Sequence, residues 1–221
     1  MKYIVIILLV SAVLGFAPNQ KRKVIFFGDS ITQAGVQPGG YIRRIDSLCK
    51  LEKKQDGYEF VGSGVSANKV YDLYLRLEED VLSKNPDIVV IYIGVNDVWH
   101  KTSAGTGTDA NKFEQFYRAL IKKMKDKGIR LILATPAVIG ERHDFSNQQD
   151  GDLNQYSNII RTIASTNNIP LVDLRLRFLE YSKANNPQNN EKGILTSDRV
   201  HLNEKGNQLV AEEFWKAIKA L

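Results

Sequence analysis

Short β-branched runs alternate with longer segments of helical period along nearly the whole chain, and no other feature narrows the fold as much. "KVIFFG" precedes "YIRRIDSLCKLEKK", "YEFVG" precedes "VYDLYLRLEEDVLSK", and "DIVVIYIG" leads to "NKFEQFYRALIKKMKDKG". "RLILATP" then precedes "LNQYSNIIRTIASTNN", and "IPLVDL" precedes a last helix in "EKGNQLVAEEFWKAIKAL". Parallel neighbouring strands need crossover connections, so this pattern predicts an α/β protein with a parallel sheet covered by helices on both faces. The expected architecture is a three-layer α/β/α sandwich on a five-stranded sheet of flavodoxin-like order 2-1-3-4-5. In such sheets ligands bind beyond the carboxyl ends of the strands, where the strand order reverses. The first and third strands would flank that point, which sets Ser30 and Asn96 across one crevice. Two connections are longer than usual, "NDVWHKTSAGTGTDA" and "PAVIGERHDFSNQQDG", and are read as functional loops.

With 221 residues, 43% hydrophobic and 25% charged, the chain has a globular composition and the length of one domain. The start "MKYIVIILLVSAVLGFA" joins Lys2 to an apolar stretch ending in small residues, which reads as a signal peptide over residues 1–17. The expectation is an exported protein, periplasmic or secreted, in which residues 18–221 form a single domain with no stable membrane span. An uncleaved anchor is the rival, although the apolar run is slightly short for a full span. The formal charge of +5 is mild, and Lys and Arg are spread over several segments. Solvated helix faces explain them better than a nucleic-acid groove. Cys49 is the one cysteine, which rules out an intrachain disulfide.

At the end of the first strand, "VIFFGDSIT" presents Asp29 and Ser30 together. Both residue types cap helices, because their side chains accept hydrogen bonds from the first helical turn. A serine hydroxyl is also a nucleophile once a base takes its proton, and that base is normally a histidine oriented by a third group. There are three histidines. His100 and His143 lie in the two long connections; His201 lies in "SDRVH", where Asp198 precedes it by three residues. On a tight turn that spacing lets the carboxylate reach Nδ1 while Nε2 points toward Ser30. Other features have plain readings: Asp29 and Asp97 as local hydrogen-bond partners, Tyr41, Tyr92 and Trp99 as packing or substrate contacts. "GSGVSA" formally matches a dinucleotide fingerprint but follows the second strand without the acid expected downstream, so no cofactor is implied. The histidines show no metal-ligand spacing, and no metal is implied.

Taken together, "GDSIT", "GVND" and "DxxH" resemble the SGNH hydrolases, the GDSL-like esterase and acylhydrolase family, over Val24 to about Phe214. The resemblance implies Ser30 as nucleophile and, through its own N–H, first oxyanion donor. It implies the Asn96 amide as a further donor, His201 as general base and Asp198 as its orienting group. The last donor in the family is the N–H of a Gly, and here Ala67 stands in its place, with Gly64 a weaker match. If that position has positive φ, Ala67 carries strain of about 1 to 2 kcal/mol. The implied activity is ester hydrolysis through an acyl-enzyme, without a cofactor and rising with pH through about 6 to 7 as the base becomes neutral. Export and polar loops favour a carbohydrate O-deacetylase acting on a small-molecule or carbohydrate ester. A lysophospholipase-like or general short-chain acylhydrolase, and a non-catalytic glycan- or lipid-binding relative, are the alternatives.

Overall fold

Five β-branched and aromatic runs form one parallel sheet: β1 (Arg22–Gly28), β2 (Tyr58–Gly64), β3 (Ile88–Tyr92), β4 (Arg130–Ala134) and β5 (Leu171–Val172). The structure, a computed structural model, describes residues 20–221; the expected leader over 1–17 lies outside the described residues. The strand order is β2-β1-β3-β4-β5, as the alternation predicts. All five residues of β3 are buried, which a strand covered on both faces requires.

The strands are connected through α1 (Ser30–Gly35), α2 (Tyr41–Leu51), α3 (Val70–Asp80), α4 (Val95–Ser103), α5 (Ala110–Asp126) and α6 (Asp150–Thr166), and β5 is followed by α7 (Leu174–Asn185) and α8 (Glu204–Ala220). α2 packs on α8, while α3 packs on α5 and α5 on α6, giving the two helical layers of an α/β/α sandwich. Each layer follows from an apolar stripe: Tyr41, Ile45 and Cys49 on α2, and Phe113, Tyr117, Leu120, Ile121 and Met124 on α5, are buried at helical spacing. Between the sheet and the α2/α8 layer, the ring of Phe214 lies 5.9 Å from Phe26, 5.5 Å from Tyr41 and 5.8 Å from Tyr92. Those contacts bind α8 to β1, α2 and β3, and so fix the segment before α8 relative to the end of β1.

Two helices depart from the sequence reading. The connection after β3, read as a long loop, begins with α4, because Gly94 at φ +126° turns the chain and Val95, Asn96, Asp97 and Val98 are all buried. Two buried polar residues in its first turn hide the usual apolar stripe. α7 was not expected either: Leu174, Leu176 and Phe178 alternate with Arg175 and Arg177, the period of a strand. Arg175 is buried rather than solvated, and it pairs with Asp150 at 2.6 Å.

Candidate active site

β1 ends at the reversal of strand order, between β2 and β3. Asp29 caps α1, its Oδ1 accepting from the Ile31 N–H at 3.0 Å, and Ser30 is the first helical residue. A first-turn N–H has no intrahelical acceptor, so the Ser30 N–H is available beside its own hydroxyl. Gly64 allows this packing: a Cβ there would lie 2.1 Å from the Gln33 nitrogen and 2.7 Å from the Asp29 carbonyl oxygen. Any residue larger than glycine would collide with the turn that carries Ser30.

His201 reaches this point from 171 residues away, with Nε2 2.9 Å from Ser30 Oγ. Its Nδ1 lies 2.7 Å from Asp198 Oδ2, while Asp198 Oδ1 accepts from the N–H groups of His201 at 2.8 Å and Val200 at 3.0 Å. Burial pushes the Asp198 carboxyl up, but these bonds outweigh it and hold the group below the usual carboxylate range. Asp198 is thus an anion at neutral pH. The turn is closed behind the pair by a Thr196–Leu202 bridge and a Ser197 N–H bond to the His201 carbonyl at 2.9 Å.

Asn96 sits at the second position of α4, 2% exposed, and its Nδ2 donates to the Asn68 carbonyl at 3.1 Å. That bond uses one amide hydrogen and leaves the other. Ala67 lies in the turn closed by the Asn68 N–H to the Val65 carbonyl, at φ +64°, the conformation anticipated for a position where glycine is usual. Its N–H has no protein acceptor among the described residues. Arg76 ties these parts together through contacts that the sequence reading missed. It donates to the Gly28 carbonyl at 2.7 Å, to the Ser63 carbonyl at 3.1 Å and to Asn68 Oδ1 at 2.7 Å.

Asp97 does not hold its own loop through an Asx turn, as its local reading had it; both carboxylate oxygens accept from the Val70 N–H, at 3.2 and 3.3 Å. The other two histidines stand apart from Ser30. His100 lies in α4, its pKa lowered by burial and by Lys69, and the His143 ring meets the Asn186 carbonyl at 3.0 Å. Glu141 was also missed. It is 1% exposed, and its carboxylate accepts from the N–H groups of Ile194, Leu195 and Thr196 at 2.8, 2.5 and 2.8 Å. A glutamate in a charged loop carries no sequence signal for that role. Among the described residues, no group of three His, Cys, Asp or Glu could hold a metal ion, and no helix is long and apolar enough to cross a membrane.

A Ser–His–Asp chain of hydrogen bonds at the switch point of a doubly wound sheet is the arrangement acyl-transfer enzymes use. The chain belongs to the GDSL-like lipase/acylhydrolase family, whose model matches residues 26–209, and it is a carboxylic ester hydrolase of the SGNH type. Its sequence is 31% identical over 215 residues to an acetylxylan esterase of Geobacillus stearothermophilus, covering 89% of this chain and 94% of that one. A crystal structure of an acetyl xylan esterase, AlAXEase, is 60% identical with a TM-score of 0.88, covering 89% of this chain and 99% of that one. The crystal structure of Axe2, an acetylxylan esterase from Geobacillus stearothermophilus, is 28% identical with a TM-score of 0.79, covering 91% and 96%.

Proposed function

We propose that this protein removes acetyl groups from a carbohydrate, with Ser30, His201 and Asp198 as its triad. The continuous path from Ser30 Oγ through both nitrogens of His201 to Asp198, with links of 2.9 and 2.7 Å, carries the reading. Ser30 Oγ attacks the acetyl carbonyl carbon while Nε2 takes its proton, and the carbonyl oxygen becomes an oxyanion. The N–H groups of Ser30 and Ala67 and the Asn96 amide stabilise that charge. Asp198 holds the ring in the tautomer with its hydrogen on Nδ1, and stabilises the imidazolium. His201 returns the proton to the leaving sugar oxygen as the C–O bond breaks, leaving acetyl-Ser30. Water, deprotonated by the same nitrogen, then attacks the acyl carbon and releases acetate.

A carbohydrate substrate is supported by the relatives' action on acetylated xylan and by the polar loops around the triad. The apolar N-terminal segment supports an exported protein, which suits an external polymer. Acetate release from acetylated xylo-oligosaccharides and turnover of p-nitrophenyl acetate test the reading. Ser30→Ala is expected to lower both by about 10,000-fold or more. Faster cleavage of an octanoyl than an acetyl ester of one alcohol would overturn the deacetylase assignment, and native turnover no higher than that of Ser30→Ala would overturn catalysis itself.

A further inference from the structure

Beside the triad lies a cavity of about 330 Å³, within the size range of small-molecule sites of about 300–1,000 Å³. Trp99 of α4 lines one wall, and its ring is 6.3 Å from that of His201 at an interplanar angle of 70°. The segment carrying the base lines another through Arg199, two residues before His201, whose carbonyl accepts the Gly140 N–H at 2.9 Å. The remaining wall comes from the loop between β4 and α6, with Arg142, Gln148 and Gln149. The cavity is not lined by the triad itself; it borders the reacting centre on the His201 side, through the Trp99 ring and the Arg199 segment.

Some polar groups in this groove are already used. Gln149 Nε2 donates to the Val98 carbonyl at 2.8 Å, and Arg142 lies 3.6 Å from Glu191. Others have no protein partner among the described residues: the Trp99 indole N–H, the Gln148 amide and the Arg199 guanidinium. An aromatic ring with free amide and guanidinium donors suits a pyranose, which has C–H groups on its faces and hydroxyls at its rim. A long acyl tail would leave those polar groups desolvated and unpaired.

We propose that this groove is the saccharide subsite, with the sugar on the alcohol side of the ester packed against Trp99 and its hydroxyls bonded to Gln148 and Arg199. The inference rests on the deacetylase reading and assigns it a binding surface. Its test compares kcat/KM on an acetylated xylo-oligosaccharide with kcat/KM on p-nitrophenyl acetate, which lacks a sugar. A second measurement is competitive inhibition of p-nitrophenyl acetate hydrolysis by the deacetylated xylo-oligosaccharide.

Trp99→Ala is expected to lower the ratio of the two kcat/KM values about tenfold or more, to weaken saccharide inhibition in parallel, and to be partly rescued in Trp99→Phe. Because Trp99 also packs against the core, exposed Gln148 provides an independent variant. Gln148→Ala is expected to lower the ratio about threefold and to weaken inhibition likewise. Equal losses on both substrates would mean that Trp99 acts only through His201, and would overturn the subsite. An unchanged ratio with unchanged inhibition in both variants would overturn it while leaving the deacetylase reading intact. A native protein that releases no acetate from the oligosaccharide would remove both.

Discussion

A methyl group stands at Ala67 where the backbone is left-handed, with φ +64°. An L-residue pays about 1–2 kcal/mol for that conformation, and glycine does not. The oxyanion donor proposed at Ala67 is its backbone N–H, which either residue supplies. Ala67→Gly is therefore expected to raise Tm by about 2–4 °C while changing kcat by less than about threefold. Thermal unfolding and p-nitrophenyl acetate kinetics on the same preparation check both. A tenfold rise in kcat would instead mean that the methyl group misaims the donor.

At the scale of elements, the segment from Ile194 to Leu202 has little regular structure, yet it places both Asp198 and His201. Its anchor is the buried carboxylate of Glu141, which accepts three successive N–H groups. Glu141→Gln keeps the size but turns an NH2 group toward those donors, so it is expected to cost about 2–3 kcal/mol of stability. Misplacing His201 by a fraction of an ångström is further expected to lower kcat roughly 10- to 100-fold with KM little changed. Loss of stability with kcat intact would reduce Glu141 to a structural role.

The same segment shows where sequence reading succeeds and where it ends. That Ser30, Asp198 and His201 would meet was legible because the roles proposed for them demand particular residue types at particular strand and helix ends. β1 to β4 were legible because buried strands need β-branched runs. Glu141 and Arg76 were not, since each works by meeting backbone groups that are close only in the folded chain. α7 was hidden because the buried Arg175 breaks the apolar stripe, and its partner Asp150 lies on another helix.

For the whole molecule, two acids beneath the site tie stability to pH. Burial pushes Asp29 up to about 7, opposed by the Ile31 N–H, and pushes Asp97 up to about 6, opposed by the Val70 N–H. In the unfolded chain both ionise near the ordinary aspartate value of 3.8. The folded state thus binds more protons between those values, and its stability falls as pH rises from about 4 to about 7. Asp29→Asn retains the cap acceptor without the charge. Its Tm relative to the native protein is expected to rise by several degrees between pH 4 and pH 8, measured by thermal melts across that range. A difference that stays constant with pH would show that Asp29 ionises normally in the fold.

The 171 positions that separate Ser30 from His201 also set a clock. At ribosomal speeds of about 5–20 residues per second, the hydroxyl emerges roughly 10–30 s before the imidazole proposed to activate it. A nascent chain, or a fragment cut anywhere between the two, has no base for its serine. Hydrolytic power therefore arrives in one step, when the last segment docks.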